Sequence, residues 1–318
     1  MGKITNPATI SSEFGVEKAI LDKLGVVNTL LNTDTSLFID PMLLEESSQI
    51  EIRDGAYQSY RERFEKIIKL LSVSEKKNDV PWRNAEKLFR FSEISYTCLG
   101  YGTTVRGSGF GRDLVSKTLD TASQIIALGI DDIDLFMALA LFEEGIGPDR
   151  ISDMTTNIIL KDLISFSVRI NEDLKIPTQK FKVEGVVHDL VANPYSDQPI
   201  IFVPDDIVRD LPIASDWSDI SRVVGENEEL RGRVNDHVGE IWSSMTKKDK
   251  KRLKDAALRS KEAFQQVIDM IREVEPKPYS FKDDRNGELF WTELLNKVAE
   301  YYPYDLSSYA NRDLQLGE

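Results

Sequence analysis

Three consecutive helical patterns, divided by glycine turns, constrain this chain most. Residues 113–128 repeat apolar side chains at helical spacing (Leu114, Leu119, Ile125, Ile126) and stop at Gly129, a residue suited to a left-handed C-terminal cap. Residues 131–143 carry Ile133, Phe136, Met137, Leu139, Ala140 and Leu141, too many for one face, so this helix is expected to be buried all round. A third pattern starts at Pro148, whose missing N–H costs little at a first helical position. Ile151, Met154, Ile158, Ile159, Leu163 and Phe166 then keep the period to about residue 170. Helices that need cover on several sides predict an α-rich unit over residues 1–170.

Upstream, Val16–Leu24 and residues 56–72 (Tyr57, Tyr60, Phe64, Ile67, Ile68, Leu71) also carry helical period, and Leu37-Phe38-Ile39 reads as a short strand stopped by Asp40-Pro41. Residues 85–98 lead toward a glycine-rich segment and are expected to be partly extended at Ile94, Tyr96 and Cys98. Beyond residue 171 the texture changes. Phe181–Val187 and Ile200–Val203 read as strands, with a turn between them at Asn193-Pro194 and Asp197. Asp205-Asp206, after Pro204, begins a short helix, and residues 219–275 and 288–302 return to helical spacing. The expected fold is α+β, predominantly helical, with a few short strands. It divides into an α-rich region, 1–170, and a mixed region, 171–318, closely packed on the first.

Composition narrows the function classes. The 318 residues, 41% hydrophobic and 30% charged, suit a folded chain with ample core. The lone cysteine, Cys98, excludes a disulfide framework within the chain, and with only His188 and His237 beside it a zinc centre has too few ligands. No run approaches the roughly 18 apolar residues of a membrane span, and the N-terminus has no signal-peptide core. A cytoplasmic chain without membrane contact is expected, and a homo-oligomer is compatible with it. A net charge of −14 argues against coating by nucleic acid over the whole surface, while leaving room for a local basic patch.

The segment before the first of the three helices is the strongest candidate for binding. Gly100, Gly102, Gly107, Gly109 and Gly111 fall within twelve residues. Glycine serves where the backbone takes positive φ or approaches a ligand. A glycine loop opening a helix aims free N–H groups and the positive end of the helix dipole at an anion. Arg106 and Arg112 add guanidinium forks suited to phosphate. The loop lacks the Gly-Lys-Ser/Thr ending of a P-loop, and GSGFGR does not have the dinucleotide spacing. A surface connection with two solvated arginines is the alternative.

A second glycine turn follows, crowded with acids: Glu143, Glu144, Gly145, Gly147, Asp149 and Asp153. Asp149, Asp153, Asn157 and Lys161 share one helical face at i, i+4 spacing. With Glu144, Asp149 and Asp153 this stripe offers hard oxygen ligands for Mg²⁺ or Mn²⁺. The plainer account is that acids in a first turn complement the dipole and that Asp149 or Ser152 caps the helix. Further on, residues 247–261 hold eight Lys or Arg against two Asp. Lys247, Lys248, Lys250, Lys251, Arg252 and Lys254 make this block either a nucleic-acid surface or a solvated helix face. Cys98 with His188 or His237 forms a nucleophile and base only if the fold brings them together.

The strings LFEEGIGPDRISDMTTNII (141–159), QPIIFVPDDIVRDLP (198–212) and YSFKDDRNGELFW (279–291) resemble the N-terminal portion of a bacterial protein family. Its longer members continue into a nuclease domain of the PD-(D/E)xK kind. The resemblance implies a role in phage defence beside a nuclease domain or partner. The nuclease core itself needs a strand with Glu-x-Lys or Asp-x-Lys, and here Lys182-Val183-Glu184 has the order reversed. Three readings stand. One is a recognition or regulatory module that binds nucleic acid or a nucleotide through Gly102, Arg106, Gly107, Gly109, Gly111 and Arg112. Another is a Mg²⁺- or Mn²⁺-dependent nuclease or phosphodiesterase using Glu144, Asp149 and Asp153. The last is a protein–protein scaffold.

Overall fold

The helix expected after Pro148 forms, and it threads two hydrophobic cores. The structure is a computed structural model and describes residues 8–32, 34–35, 37–92, 94–100, 111–143, 146, 148–210, 251, 254–273 and 277–279. The elements in chain order are α1 (Ile10–Phe14), α2 (Lys18–Leu24), β1 (Leu37–Ile39) and a π-helical turn, Glu51–Ala56, that runs into α3 (Tyr57–Ser72). Then come α4 (Val80–Leu88), α5 (Arg112–Ala127), α6 (Leu135–Phe142) and α7 (Pro148–Leu174). Strands β2 (Thr178–Val183), β3 (Val186–Ala192), β4 (Pro199–Ile200) and β5 (Val208–Asp210) follow, and α8 (Lys261–Glu273) comes last. The fold is α+β and predominantly helical. Among the described residues no helix is long and apolar enough to cross a membrane.

The larger core gathers α3, α5, α6, α8 and the first half of α7. Phe64 lies at its centre, fully buried, with Phe136 of α6 at 4.1 Å between ring centroids and Tyr60 edge-on at 4.7 Å. The smaller core takes Phe166 and Ile170 from the second half of α7, with Ile10, Leu21, Val191, Ile200 and Phe202 around them. Residue 171, where the sequence texture changes, lies inside α7, which runs unbroken to Leu174.

Local chemistry sets the element ends. Thr9 and Ser12 form a capping box on α1. Asp79 accepts from the Trp82 N–H at 2.9 Å and starts α4, with Pro81 in its first turn. That helix lies in a stretch the sequence pattern leaves unassigned, because its apolar face is only Trp82 and Ala85. Gly129 (φ +85°) follows α5 in the left-handed conformation expected of it. The buried helix predicted over 131–143 begins only at Leu135, since the Asp132 carboxylate accepts from the Asp134 N–H and holds a turn before it.

Both sheets are antiparallel. β1 pairs with β5, and the Tyr279 N–H donates to the Val208 carbonyl at 2.7 Å. In the other sheet the order is β2-β3-β4, with Phe181 opposite His188 and Val183 opposite Val186. The strand expected to run from Phe181 to Val187 is interrupted. The chain reverses at Glu184-Gly185 (φ +47° and +86°), a two-residue turn whose left-handed residues match the twist of paired strands. The extended run Ile200–Val203 pairs as a strand only through Ile200.

A buried ion pair fixes the β1–β5 corner. Asp40 and Arg209 are almost wholly inaccessible and meet at 3.4 Å. Asp40 also accepts from the Met42 N–H, capping the short helix Pro41–Leu43, and its own N–H donates to the Ile207 carbonyl. Burial pushes the Asp40 carboxyl up, and the charge of Arg209 opposes that shift. Removing one partner strands the other charge in the core, a loss of about 3–5 kcal/mol in such pairs. Arg209→Met should therefore lower the urea midpoint sharply, and adding Asp40→Asn to it should restore part of the loss.

Candidate functional site

The N-terminus of α5 is exposed. Gly111 occupies the cap position with extended backbone (φ −63°, ψ 155°), and no side chain bonds to the first turn. A Cβ built on Gly111 meets nothing within 4 Å, and Arg112 and Asp113 are exposed beside it. The root of the loop is tied down: the Gly100 N–H donates to the Thr35 carbonyl at 3.0 Å, and the Thr35 N–H to the Cys98 carbonyl at 2.8 Å. Gly102, Arg106, Gly107 and Gly109 lie outside the described residues. The structure thus places Gly111 and Arg112 at a helix end whose backbone donors face solvent, suited to an anion but with Asp113 opposing it.

The acidic turn is built differently from the metal stripe the sequence suggested. Glu143 is buried at the end of α6, where it accepts from the Thr121 hydroxyl of α5 and from Lys254 Nζ at 2.6 Å. Thr121 comes nine residues after Arg112, about 14 Å along the helix axis. The turn therefore meets the middle of α5 and not its N-terminus. Ser152, proposed as a cap, is buried and accepts from the Ile39 N–H of β1 at 3.0 Å. The Asn157 amide accepts from the Ser92 N–H at 3.2 Å and donates to the Ser92 and Asp153 carbonyls. Glu144 and the side chain of Asp149 are outside the described residues, and Asp153 is half-buried. Among the described residues no three His, Cys, Asp or Glu side chains cluster as ion ligands do.

The basic block is also partly reassigned. Lys247, Lys248, Lys250 and Arg252 are outside the described residues, and Lys251 is exposed. Lys254, expected on a nucleic-acid surface, turns inward to Glu143 and donates to Thr121 Oγ1 at 2.6 Å. A carboxylate under its own helix outcompeted solvent for that ammonium.

Cys98 has no histidine for a partner. Its sulfur faces the Asn193 amide at 3.7 Å, and His188 sits on β3 opposite Phe181, while His237 is outside the described residues. Burial pushes the thiol up to about 12, with the nearby charge of Asp34 adding to it and the Asn193 hydrogen bond opposing. Cys98 also holds φ +54°, a left-handed conformation uncommon for a non-glycine residue. These properties suit a structural residue at the loop root and not a nucleophile.

A feature the sequence reading missed is a cleft of about 610 Å³ between α7 and the β2–β3 hairpin. Ile164, Val168, Val183 and Val186 give it an apolar lining, and Lys161 and His188 also line it. Arg169 lines it too, held in place by a two-pronged bond to Glu51 (2.5 and 3.1 Å), a bond to Gln49, and the Phe166 ring at 5.3 Å. The usable signal was Glu184-Gly185, whose turn folds β2 and β3 back over the helix.

These elements describe a helical frame with one open helix end and one lined cleft. The family model described as "Domain of unknown function (DUF8370)" matches residues 15–216, and the chain belongs to that family. Comparison with curated proteins and with solved structures gives no match.

Two outcomes follow from these environments. In the folded protein at neutral pH, Cys98 should resist a chromogenic disulfide reagent and react at full rate only in denaturant. The Arg169 hydrogen bonds hold the Glu51 carboxyl below its ordinary 4.5, against a smaller effect of burial. Stability from this pair is complete above the unfolded value and is lost as the pH falls through the lower folded one. Between about pH 6 and about pH 3, Arg169→Gln should lose less of its urea midpoint than the parent protein.

Proposed function

We propose that this chain is a recognition or regulatory module of a bacterial anti-phage system. It binds a phosphate-bearing ligand, nucleic acid or nucleotide, and acts with a nuclease domain or partner that carries the chemistry. The observation that carries this reading is the uncapped, solvent-facing start of α5, where Gly111 and Arg112 follow directly on the glycine loop. Backbone N–H groups at such an end bind phosphate oxygens, and arginine forks strengthen the contact.

The polar groups beside the acidic turn support recognition over catalysis. Glu143, Ser152 and Asn157 are each engaged in bonds that join elements of the fold. The defence context and the nuclease partner rest on the resemblance of residues 141–159, 198–212 and 279–291 to the N-terminal portion of nuclease-bearing proteins.

The test is a salt titration of binding to labelled duplex DNA, single-stranded DNA, RNA and nucleotides, with parallel lanes holding Mg²⁺, Mn²⁺ or a chelator. Arg106→Ala with Arg112→Ala should weaken binding about tenfold or more, the loss expected for hydrogen bonds to a charged group, with the thermal transition unchanged. Unchanged affinity in that variant would remove the loop from the site. Metal-dependent cleavage that disappears in Asp149→Asn with Asp153→Asn would instead make the chain a nuclease.

A further inference from the structure

α6, with the sequence LFMALALF, is apolar on every side, and part of its cover comes from beyond the family match, which ends at residue 216. α8 supplies that cover. Phe264, Val267, Ile268 and Ile271 fall at i, i+3, i+4 and i+7 and are all fully buried, while Lys261, Glu262, Gln266 and Asp269 on the other faces are exposed. Phe264 meets Phe142 at 6.0 Å between centroids. Ala257, just ahead of α8, is buried as well.

The ends are held by charge. At the C-terminal end of α6, Lys254 pairs with Glu143 at 2.6 Å. Before its N-terminus, Arg272 reaches Asp134 at 2.9 Å and Asp132 at 2.5 Å. α8 thus runs antiparallel to α6, with a basic residue on an acidic site at each end. The Arg272 pairs are largely solvent-exposed, where ion pairs add little to stability but do set register and partner choice.

We infer that the surface of α5 and α6 beneath α8 is a helix-binding groove with an acidic clamp at each end. α8 fills it in cis as a releasable strap, and the partner it accepts in trans is an amphipathic helix with apolar residues at i, i+3, i+4 and i+7 and a basic residue at each end. This is helix-in-groove recognition, with anchors read from one face of the incoming helix. The inference does not rest on the phosphate-binding reading, because neither the loop nor Arg112 takes part in it.

The experiment uses the full chain and a fluorescein-labelled peptide of residues 254–273. In Lys254→Glu with Arg272→Glu, both clamps repel the strap. The variant should bind the peptide about tenfold or more tightly than the parent, whose groove is occupied at the high effective concentration of its own segment. A peptide bearing the same two reversals should not bind. If the variant melts cooperatively like the parent yet takes the peptide no better, the strap is not releasable and the inference fails. If the variant does not fold, hydrogen exchange on the parent decides. Amides of α8 exchanging well before those of α3 and α7 support a strap that opens alone. Exchange of α8 only with global unfolding overturns it.

Discussion

Everything else in the fold is arranged around the need to bury α7. Its 27 residues extend about 40 Å, and apolar side chains leave it on more than one side. Ile151, Ile159 and Leu163 enter the larger core, whereas Phe166 and Ile170 enter the smaller. No single neighbour can cover such a helix. α3, the π-helical turn, β1 and the β2–β3–β4 sheet therefore pack against successive stretches of it, and its polar residues fix their positions. Ser152 receives β1, Asn157 holds residue 92, Asp162 accepts from Ser59, Ser167 accepts from the Phe202 N–H at 2.8 Å, and Asn171 closes on Ile176. Each bond satisfies a group that burial would otherwise leave unpaired, where the penalty is about 1–3 kcal/mol.

This arrangement explains which parts of the structure were legible in the sequence. The three helices from residue 113 to 174, the short β1 and the turn near Asn193 follow from periodicity and turn chemistry, because those signals are local. The function of α7's polar residues is not local. Asp149, Asp153, Asn157 and Lys161 look like a ligand stripe because i, i+4 spacing puts them on one face, but what occupies that face comes from residues far away in the chain. Asn157 meets Ser92, 65 positions earlier. Lys254 is similar: its place in a basic run suggested solvent, and its partner, Glu143, lies 111 positions away. The hairpin turn was readable in principle, but Val183 and Val186 flank Glu184-Gly185 closely enough to look like one continuous strand.

α6 shows the same dependence from the other side. A helix that is apolar all round stays soluble only when neighbours enclose it, and α5, α7 and α8 do so together. The acidic residues at its two ends then face the basic residues of the last described helix. The family match stops before that helix, so the matched region by itself leaves the α8-facing surface of α6 uncovered. Something with an apolar stripe must close it, and in this chain residues 254–273 do.

A rigid frame with an open helix end has a direct consequence for recognition. α5 is fixed along one face by Val115, Leu119, Ala122 and Ile125 in the core, and near its middle by Thr121 on Glu143. Its first residues, Gly111 to Asp113, stay outside that packing. An anion arriving there meets donors already oriented by the helix, so the frame does not have to reorganise to bind it. Asp113 works against a ligand of low charge and less against one carrying several phosphate oxygens, because the guanidinium forks of Arg106 and Arg112 outnumber it. The charge balance at this end therefore favours a ligand with more than one negative charge, such as a nucleotide or a nucleic-acid strand, over a single carboxylate.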